Sequence, residues 1–299
     1  MSTNNTSIVG LGSMGYGMAQ SLLRAGHCVQ GFDIDPDTTA RFATEGGQSE
    51  AQSDAAARCD CLVVVVLNGA QTESVLFGDG GWAAQLEQGA TVIACATVAP
   101  EFAKDMEARC NELGLHYLDA PISGGAAKAA LGKLSIMASG TPAAFDGAAS
   151  ALDAMAETVF RLGDAAGAGS AMKAVNQLLA GVHIAAMAEA LTFGMTQGVS
   201  PYKFVEVISQ CAGTSWMLEN RAPHIVDGDY SPKSSVDIWP KDLGIVLDIA
   251  KSAKFGAPLT AAALQQFLAA SGSGLGGEDD SAVAKVYARN AGLTLPGDA

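Results

Sequence analysis

Three polar side chains interrupt an otherwise apolar stretch and could together carry out proton transfer. The stretch covers residues 171–191 and is built largely of Ala, Val, Leu, Ile and Met at helical spacing. Lys173, Asn176 and Gln177 stand at positions i, i+3 and i+4, so a helix would place them on one face. Buried polar groups need partners, so this face is expected to line a wet cavity or to meet a ligand.

The chemistry that fits Lys173 is general acid–base catalysis on a hydroxyl group. When an alcohol is oxidised by hydride transfer, a nearby group must take the hydroxyl proton. A free lysine has a pKa of about 10.4 and is a poor base, but desolvation lowers a lysine pKa and a carboxylate raises it. Between these influences one lysine can serve both reaction directions. The competing interpretation is a lysine whose stem covers apolar surface while its charge reaches water.

A glycine-rich turn near the amino terminus has the spacing of a phosphate-binding site. In "VGLGSMGYGMA", Gly10, Gly12 and Gly15 stand in G-x-G-x-x-G register, after an apolar run and before a helical pattern. Such a turn holds a pyrophosphate against the N-terminus of the following helix. The residues between the glycines complete the predicted cofactor contacts: Leu11, Ser13 and Met14.

Asp33, at the end of the second predicted strand, is the acidic residue expected with this motif. It follows Gly15 by 18 residues, where a carboxylate can accept hydrogen bonds from the adenosine ribose and would repel a 2′-phosphate. The next basic residue, Arg41, lies too far along the chain to serve easily as a phosphate clamp. The pattern favours NAD over NADP, and an FAD- or SAM-binding fold remains an alternative.

Alternating strand and helix patterns are expected to position these groups. Short apolar runs predict strands at 7–11, 28–34, 61–67, 91–95, 116–119, 134–138 and 158–162. A helix is predicted at 14–25, and further helical patterns lie between the later strands. The alternation indicates an α/β fold with a Rossmann-type, doubly wound parallel sheet. We expect residues 1–163 to form an NAD-binding domain.

Beyond residue 162 the pattern becomes helical throughout. "GDAAGAGS" is typical of a hinge, and helices are predicted at 171–197, 240–255, 259–270 and 281–291. Residues 164–299 are therefore expected to form an all-α domain for substrate binding and oligomerisation. The long helix of small residues favours packing between subunits, so a homodimer or homotetramer is expected.

Composition excludes several classes of partner. The chain of 299 residues has a net charge of −14 and no Lys/Arg run, which disfavours nucleic acid and anionic membranes as partners. The first seven residues have no signal-peptide pattern, and no apolar run approaches the ~20 residues of a membrane span. Six cysteines form no C-x-x-C pair and no zinc spacing with the four histidines. This predicts no metal site, reduced thiols and a cytoplasmic location.

Four segments in order resemble the β-hydroxyacid dehydrogenase family. They are "GLGSMGYGMA", "LDAPISGGAAKAALGKLSIMASG", "GAGSAMKAVNQ" and "WPKDLGIVLDIA", and the likeness spans nearly the whole chain. The family includes 3-hydroxyisobutyrate dehydrogenase, tartronate semialdehyde reductase and L-threonate dehydrogenase. Four ordered motifs in two domains are much more specific than the glycine-rich turn alone.

The resemblance implies a role for each matching residue. Three residues of the S-G-G turn would hold the substrate carboxylate: Ser123, Gly124 and Gly125. Lys173 matches the family's catalytic lysine, and Asn176 matches a substrate-binding asparagine. Cofactor contacts are implied after the third and fourth strands and in the "KD" pair, at Leu67, Asn68, Thr97 and Lys241.

Three residues depart from the family pattern. Gln177 stands where the family usually has a second Asn, and Asn68 stands where it usually has Pro. Lys128 follows the S-G-G turn where many members carry glycine. The variant "GGAAKA" is typical of the L-threonate dehydrogenase-like branch. Lys128 is either a further substrate contact, reaching an additional oxygen of a polyhydroxy acid, or a solvated loop lysine.

The function implied is NAD-dependent oxidation of a small anionic hydroxy acid. The branch favours L-threonate, oxidised at its C2 hydroxyl to 2-oxo-tetronate. 3-Hydroxyisobutyrate and tartronate semialdehyde are the alternative substrates. A non-catalytic dinucleotide-binding protein on the same fold is disfavoured because Lys173 is present.

Overall fold

The computed structural model describes residues 4–298, which divide into two compact units. The division falls between Lys173 and Ala174, within one long helix. The first unit contains all the strands and the second is helical. The predicted fold class, a Rossmann-type sheet followed by a helical region, is confirmed.

Five parallel strands form the main sheet of the first unit. They are β1 (Asn5–Val9), β2 (Cys28–Phe32), β3 (Cys61–Val64), β4 (Thr91–Ala94) and β5 (His116–Asp119). The strand order is β2-β1-β3-β4-β5, and Val9 pairs with both Phe32 and Val64. All five carboxyl ends therefore lie at one edge. The order reverses between β1 and β3, and open α/β sheets bind ligands at such a reversal.

Helices cover both faces of this sheet, as the unbroken apolar run of β3 predicts. They are α1 (Gly15–Arg24), α2 (Pro36–Thr44), α3 (Gln52–Ala56), α4 (Gly69–Phe77), α5 (Pro100–Glu112), α6 (Gly125–Ala130) and α7 (Pro142–Met155). Val63 packs with Met18 and Phe145 on one face. Leu62 packs with Met106 on the other. Alternate residues of β3 thus belong to two cores, and the sheet is buried on both sides.

The last two predicted strands exist but do not join the parallel sheet. β6 (Ile122–Ser123), β7 (Leu134–Ala138) and β8 (Ala156–Arg161) form a separate three-stranded sheet, in which β6 runs antiparallel to β7. The interpretation of one continuous parallel sheet is therefore wrong beyond β5. The two-residue strand β6 turns the chain back, and it is too short to produce a periodic pattern.

Helix α1 packs backbone to backbone against α6. A Cβ atom at Gly17 would lie 2.6 Å from the backbone nitrogen of Ala130. The Ser21 hydroxyl donates to the Ala129 carbonyl at 2.9 Å, and the Arg24 guanidinium donates to the Ala130 carbonyl. The helix that follows the glycine-rich turn and the helix that follows the S-G-G turn are thus in direct contact.

The second unit is built around the long helix α8 (Ala168–Thr196). The helices that follow are α9 (Pro201–Ile208), α10 (Trp216–Asp227), α11 (Ile238–Ser252), α12 (Pro258–Ala270) and α13 (Val283–Asn290). A π-helical segment (Ser271–Leu275) and a 3-10 turn (Asp280–Ala282) precede α13. Ile184 and Leu191 of α8 pack in one core with Trp239 and Phe267, whose rings stack at 5.4 Å.

By length and composition, α8 is apolar enough to cross a membrane. This was not predicted from the sequence, because no apolar run of about 20 residues was found in it. In its most apolar window, 39% of the residues are buried inside the protein. The central helix of a globular protein has the same composition when it supplies a core. Composition alone is therefore weak evidence for a membrane span here.

Candidate active site

The glycine-rich turn leaves the first strand at the edge where the order of strands reverses. Gly10 has φ +94°, and its N–H donates to the Phe32 carbonyl at 2.8 Å. A Cβ atom at Gly15 would lie 1.8 Å from the Gly10 carbonyl oxygen, so glycine is required for the turn to close. Nothing lies within 4 Å of a Cβ built at Gly12. This open backbone face fits the close approach of a pyrophosphate.

Asp33 is tied directly to this turn. It follows β2, and its Oδ2 accepts a hydrogen bond from the Leu11 N–H at 2.6 Å. Its Oδ1 accepts from the Asp35 N–H at 2.9 Å. The carboxylate is therefore held at the point where the turn leaves β1. A fixed negative charge there disfavours a 2′-phosphate, which agrees with the preference for NAD.

Arg41 lies nearer to the turn than its sequence position suggested. A cavity of about 400 Å³ is lined by Leu11, Gly12, Ser13, Tyr16, Gly17, Gln20, Arg41, Ala126 and Ala130. The guanidinium of Arg41 stacks over the Tyr16 ring at 4.1 Å from its centroid. The expectation that distance along the chain removes Arg41 from this region is wrong. The argument for NAD therefore depends on Asp33.

The S-G-G turn connects β6 to α6. Gly124 and Gly125 have φ of +137° and +77°, and space is open around Gly125. A Cβ atom built at Gly124 would lie 3.0 Å from Cδ of Lys128. Lys128 is thus folded back over the turn, with its stem half-buried, and it is not a freely extended loop lysine.

Lys173 lies in the second turn of α8 and is only 8% exposed. Its Nζ donates to the carbonyl oxygen of Ile122 at 2.9 Å. Ile122 immediately precedes Ser123, so the amino group of Lys173 lies beside the S-G-G turn. Since Lys173 is buried, a lysine that merely reaches outward to water does not describe the geometry. This arrangement puts a buried amino group next to the S-G-G turn.

Asn176 and Gln177 belong to a polar network in the second unit. The Asn176 amide donates to Gln177 Oε1 at 2.9 Å, and the Gln177 amide donates to Oδ2 of Asp242. The other oxygen of Asp242 pairs with Nζ of Lys241 at 2.7 Å. Asp242 is 2% exposed and was missed in the sequence, where its neighbour Lys241 alone was singled out. The network links three of the predicted site residues through one buried carboxylate.

The remaining predicted cofactor residues follow β3 and β4. The side chain of Asn68 accepts from the Gln71 N–H at 2.9 Å and caps α4, so it has a structural task in the position where Pro is usual. Leu67 is 49% exposed, and its N–H donates to the Gln71 side chain at 2.8 Å. Thr97 lies three residues beyond β4 and is partly buried. All three follow the carboxyl ends of parallel strands.

The described residues 4–298 contain no group of three or more His, Cys, Asp or Glu side chains that could hold a metal ion. The groups that the first unit brings together are an open glycine turn, a fixed aspartate, a second glycine turn and a buried lysine. Binding an anionic dinucleotide, binding a carboxylate and moving one proton are the functions such groups can perform.

Comparison with known families agrees with this geometry. Residues 5–163 match the model of the NAD binding domain of 6-phosphogluconate dehydrogenase. Residues 167–287 match the model of the NAD-binding region of NADP-dependent 3-hydroxyisobutyrate dehydrogenase. Together the two models cover both units.

Individual relatives are similar along nearly their full length. The chain is 52% identical to an L-threonate dehydrogenase from Cupriavidus necator, over 99% of each chain. It is 34% identical to a 3-hydroxyisobutyrate dehydrogenase from Pseudomonas aeruginosa, over 87% of this chain and 90% of the relative. A crystal structure described as 3-hydroxyisobutyrate dehydrogenase from Salmonella typhimurium is 46% identical, with a TM-score of 0.88 over 94% of this chain and 99% of that one.

The resemblance found in the sequence is thereby confirmed. Family models match both units, and relatives above 30% identity match 87% and 99% of the chain. The chain belongs to the 3-hydroxyisobutyrate dehydrogenase-like family of β-hydroxyacid dehydrogenases, NAD-dependent enzymes that act on a CH–OH group.

Proposed function

We propose that the chain oxidises L-threonate at its C2 hydroxyl to 2-oxo-tetronate, with Lys173 as the general acid–base. The observation that carries the mechanism is the hydrogen bond from Lys173 Nζ to the Ile122 carbonyl, beside Ser123. The identity of 52% to an L-threonate dehydrogenase from Cupriavidus necator, and of 45% to one from Escherichia coli, supports the choice of substrate.

In this proposal, the substrate carboxylate, the hydroxyl proton and the hydride are each assigned to a group that binds or accepts them. The hydroxyl of Ser123 and the backbone of Gly124 and Gly125 bind the substrate carboxylate, with Asn176 and Gln177 as further substrate contacts. A neutral Lys173 can donate one N–H to Ile122 and take the C2 hydroxyl proton on its lone pair. NAD, when held by the residues named next, would supply the two-electron acceptor for the hydride lost from C2. The residues proposed to hold NAD are Gly10, Leu11, Gly12, Ser13, Met14, Gly15, Asp33, Leu67, Asn68, Thr97 and Lys241.

The experiment is a screen of C3–C5 hydroxy acids with NAD and with NADP, followed by the absorbance of the reduced cofactor. L-Threonate with NAD is expected to give the highest kcat/KM. Lys173→Ala should lower kcat by ~10²-fold or more, the usual scale for a general acid–base, and leave NAD binding intact. Lys173→Arg should recover little, because a guanidinium does not release its proton in a useful range. Lys251→Ala, at an exposed lysine of α11, is the matched control for the change in charge.

Two results would contradict the proposal at different levels. A Lys173→Ala enzyme with most of its turnover would remove the lysine from the mechanism. Higher kcat/KM with 3-hydroxyisobutyrate would favour the second candidate function, which the description of the Salmonella typhimurium structure supports. Tartronate semialdehyde, tested in the reducing direction, covers the remaining alternative of the same class.

The cellular setting is also a proposal. Six free cysteines are present among the described residues, which suits the reducing conditions of the cytoplasm. Three apolar side chains of α8 at helical spacing are about half exposed: Met172, Val175 and Leu179. We infer that this stripe packs against another copy of the chain in a homodimer or homotetramer.

A further inference from the structure

A buried carboxylate lies at the start of the helix that carries Lys173. Asp119 is the last residue of β5 and is 1% exposed. Its Oδ2 accepts from the N–H groups of Gly167 and Ser170, each at 2.9 Å, and its Oδ1 accepts from the Ser170 hydroxyl at 2.7 Å. Burial raises the pKa of the Asp119 carboxyl, and these hydrogen bonds oppose that shift.

Ser139 completes this arrangement. Its hydroxyl donates to Asp119 Oδ2 at 3.2 Å and accepts from the Gly169 N–H at 2.9 Å. The first N–H groups of a helix have no partner within the helix. The side chains of Asp119 and Ser139 therefore satisfy three such donors around the first turn of α8, at Gly167, Gly169 and Ser170. A negative charge at this end of the helix also interacts favourably with the helix dipole.

Asp119 is connected to Lys173 by two short paths. Along the helix, Lys173 lies three residues after Ser170. Along the chain after β5, Ile122 lies three residues beyond Asp119, and its carbonyl accepts from Lys173 Nζ. The two hydrogen-bonded points close a small ring made of covalent chain and side-chain contacts. Such a ring fixes the position of Lys173 relative to Ser123.

The helix approaches the strand as closely as backbone atoms allow. A Cβ atom at Gly169 would lie 2.4 Å from the Met137 carbonyl oxygen and 2.7 Å from that of Asp119. A side chain at position 169 would therefore not fit between the first turn of α8 and the strands. The hydrogen bonds of Asp119 and this close contact act on the same turn of α8 and together constrain its position.

We propose that Asp119 is a positioning residue, which holds the amino group of Lys173 in register with the S-G-G turn through the first turn of α8. This inference rests on the proposed role of Lys173. It assigns to Asp119 no contact with substrate or cofactor. Burying the Asp119 carboxylate costs folding free energy, and the proposed benefit is the accurate placement of Lys173.

The test compares three variants in the full-length enzyme with L-threonate and NAD. Asp119→Ala removes both acceptors and should lower kcat by about 10- to 100-fold, the cost of a misplacement near 1 Å, while KM for NAD stays unchanged. Asp119→Asn keeps an oxygen that can accept from Gly167 and Ser170, so it should recover most of the wild-type kcat. Thr6→Val is the matched control. Thr6 is 1% exposed and loses a buried 2.8 Å contact to His27 at the opposite edge of the sheet.

A readout independent of turnover is amide hydrogen exchange in residues 164–174. Asp119→Ala should accelerate exchange in this segment, whereas Thr6→Val should not. The proposal is overturned if Asp119→Ala matches Thr6→Val in kcat and in exchange, or if Asp119→Asn is as slow as Asp119→Ala. Should Asp119→Ala fail to fold, the double variant Ser139→Ala/Ser170→Ala decides: it removes the hydroxyl donors to both oxygens of Asp119 and the acceptor of the Gly169 N–H, and unchanged kcat and exchange would refute the role.

Failure of the proposed function gives a different pattern. If Lys173→Ala keeps its activity, or if the wild type does not turn over L-threonate, the lysine mechanism or the substrate is wrong, whatever Asp119 does. If Lys173→Ala is slow and Asp119→Ala is fast, the positioning role alone is wrong. Faster exchange in residues 164–174 would still report the effect of Asp119 on the helix.

Discussion

Lys128 illustrates how one side chain could select the substrate. Its stem occupies the space that a side chain at Gly124 would need, so the aliphatic part of Lys128 lies against the S-G-G turn. L-Threonate extends beyond its carboxylate by further hydroxyl groups, whereas 3-hydroxyisobutyrate is shorter. A cation at this turn can therefore contact the oxygens that distinguish the two acids.

Replacing Lys128 by Met should cost L-threonate more kcat/KM than it costs 3-hydroxyisobutyrate. Methionine keeps the apolar stem and removes the charge. Loss of one charge-assisted hydrogen bond, about 1.5–3 kcal/mol, corresponds to roughly 10- to 150-fold. Steady-state kinetics on both acids measure the ratio, and Lys133→Met at the exposed neighbouring lysine is the control. Equal losses would mean that Lys128 only attracts anions, and no loss would return it to a solvated lysine.

For single residues, the sequence was informative where the signal lies within a few neighbouring positions. Gly10, Gly12 and Gly15 follow one another in a fixed register, and Lys173 stands out against its apolar helix. Asp119 and Asp242 were missed because their partners lie 51 and 65 residues away along the chain. The "HYLD" run gives one usable signal, a carboxylate that ends an apolar strand.

The boundaries of helices and strands could be predicted from local sequence, but the sheet that a strand joins could not. The strands at 116–119 and 134–138 were predicted to the residue. Helices α9 and α10 were missed. The first has only eight residues, and the second contains Pro223, which is normally a helix breaker. Both begin at a serine whose side chain accepts from the helix, Ser200 and Ser215, and this cap was the available signal.

One buried histidine joins three elements of the first unit and makes their stability sensitive to acid. His27 precedes β2, and its ring nitrogens contact Thr6 of β1 at 2.8 Å and Ser150 of α7 at 3.0 Å. Burial lowers the pKa of His27 below its ordinary value of 6.5. The unfolded chain therefore binds the proton more readily, and this contribution to stability is lost as the pH falls below about 6.5.

The prediction is that wild type loses stability relative to His27→Gln between pH 7 and pH 5. Melting temperatures by circular dichroism at several pH values measure the difference. Comparing the two proteins removes the contribution of the carboxyl groups, which titrate in both. If the melting temperatures of the two proteins changed in parallel over this pH range, protonation of His27 would have no cost in the folded protein.

For the whole molecule, the expected consequence of the exposed stripe on α8 is self-association. Sedimentation should give the mass of two or four chains at micromolar concentration. Val175, 54% exposed, lies at the centre of the stripe, and Val175→Glu should shift the protein towards smaller species because it buries a charge in an apolar contact. Leu113→Glu, at a 41% exposed site beyond α5, is the control. A wild-type protein that sediments as one chain would refute the proposal.

Fold class could be predicted for the whole molecule because each unit has its own periodicity. The change from alternating runs to a 3.6-residue repeat marks where strands end, and separate hydrophobic cores correspond to the two patterns. The second sheet could not be predicted, since pairing between β6 and β7 depends on a reversal of direction that apolar runs do not encode. The helix predicted at 171–197 already runs through the division at Lys173, but periodicity does not indicate that the two units divide within that helix.

The contact between α1 and α6 sets a rule for building chimeras. Gly17 allows the two backbones to approach closely, and the side chains of Ser21 and Arg24 donate to the carbonyl oxygens of Ala129 and Ala130. If residues 122–132 are exchanged for those of a relative, the new α6 must therefore fit the α1 of this chain. Transplanting these residues alone would strain the contact between α1 and α6 in the first unit. The unit of exchange is the segment together with the inner face of α1.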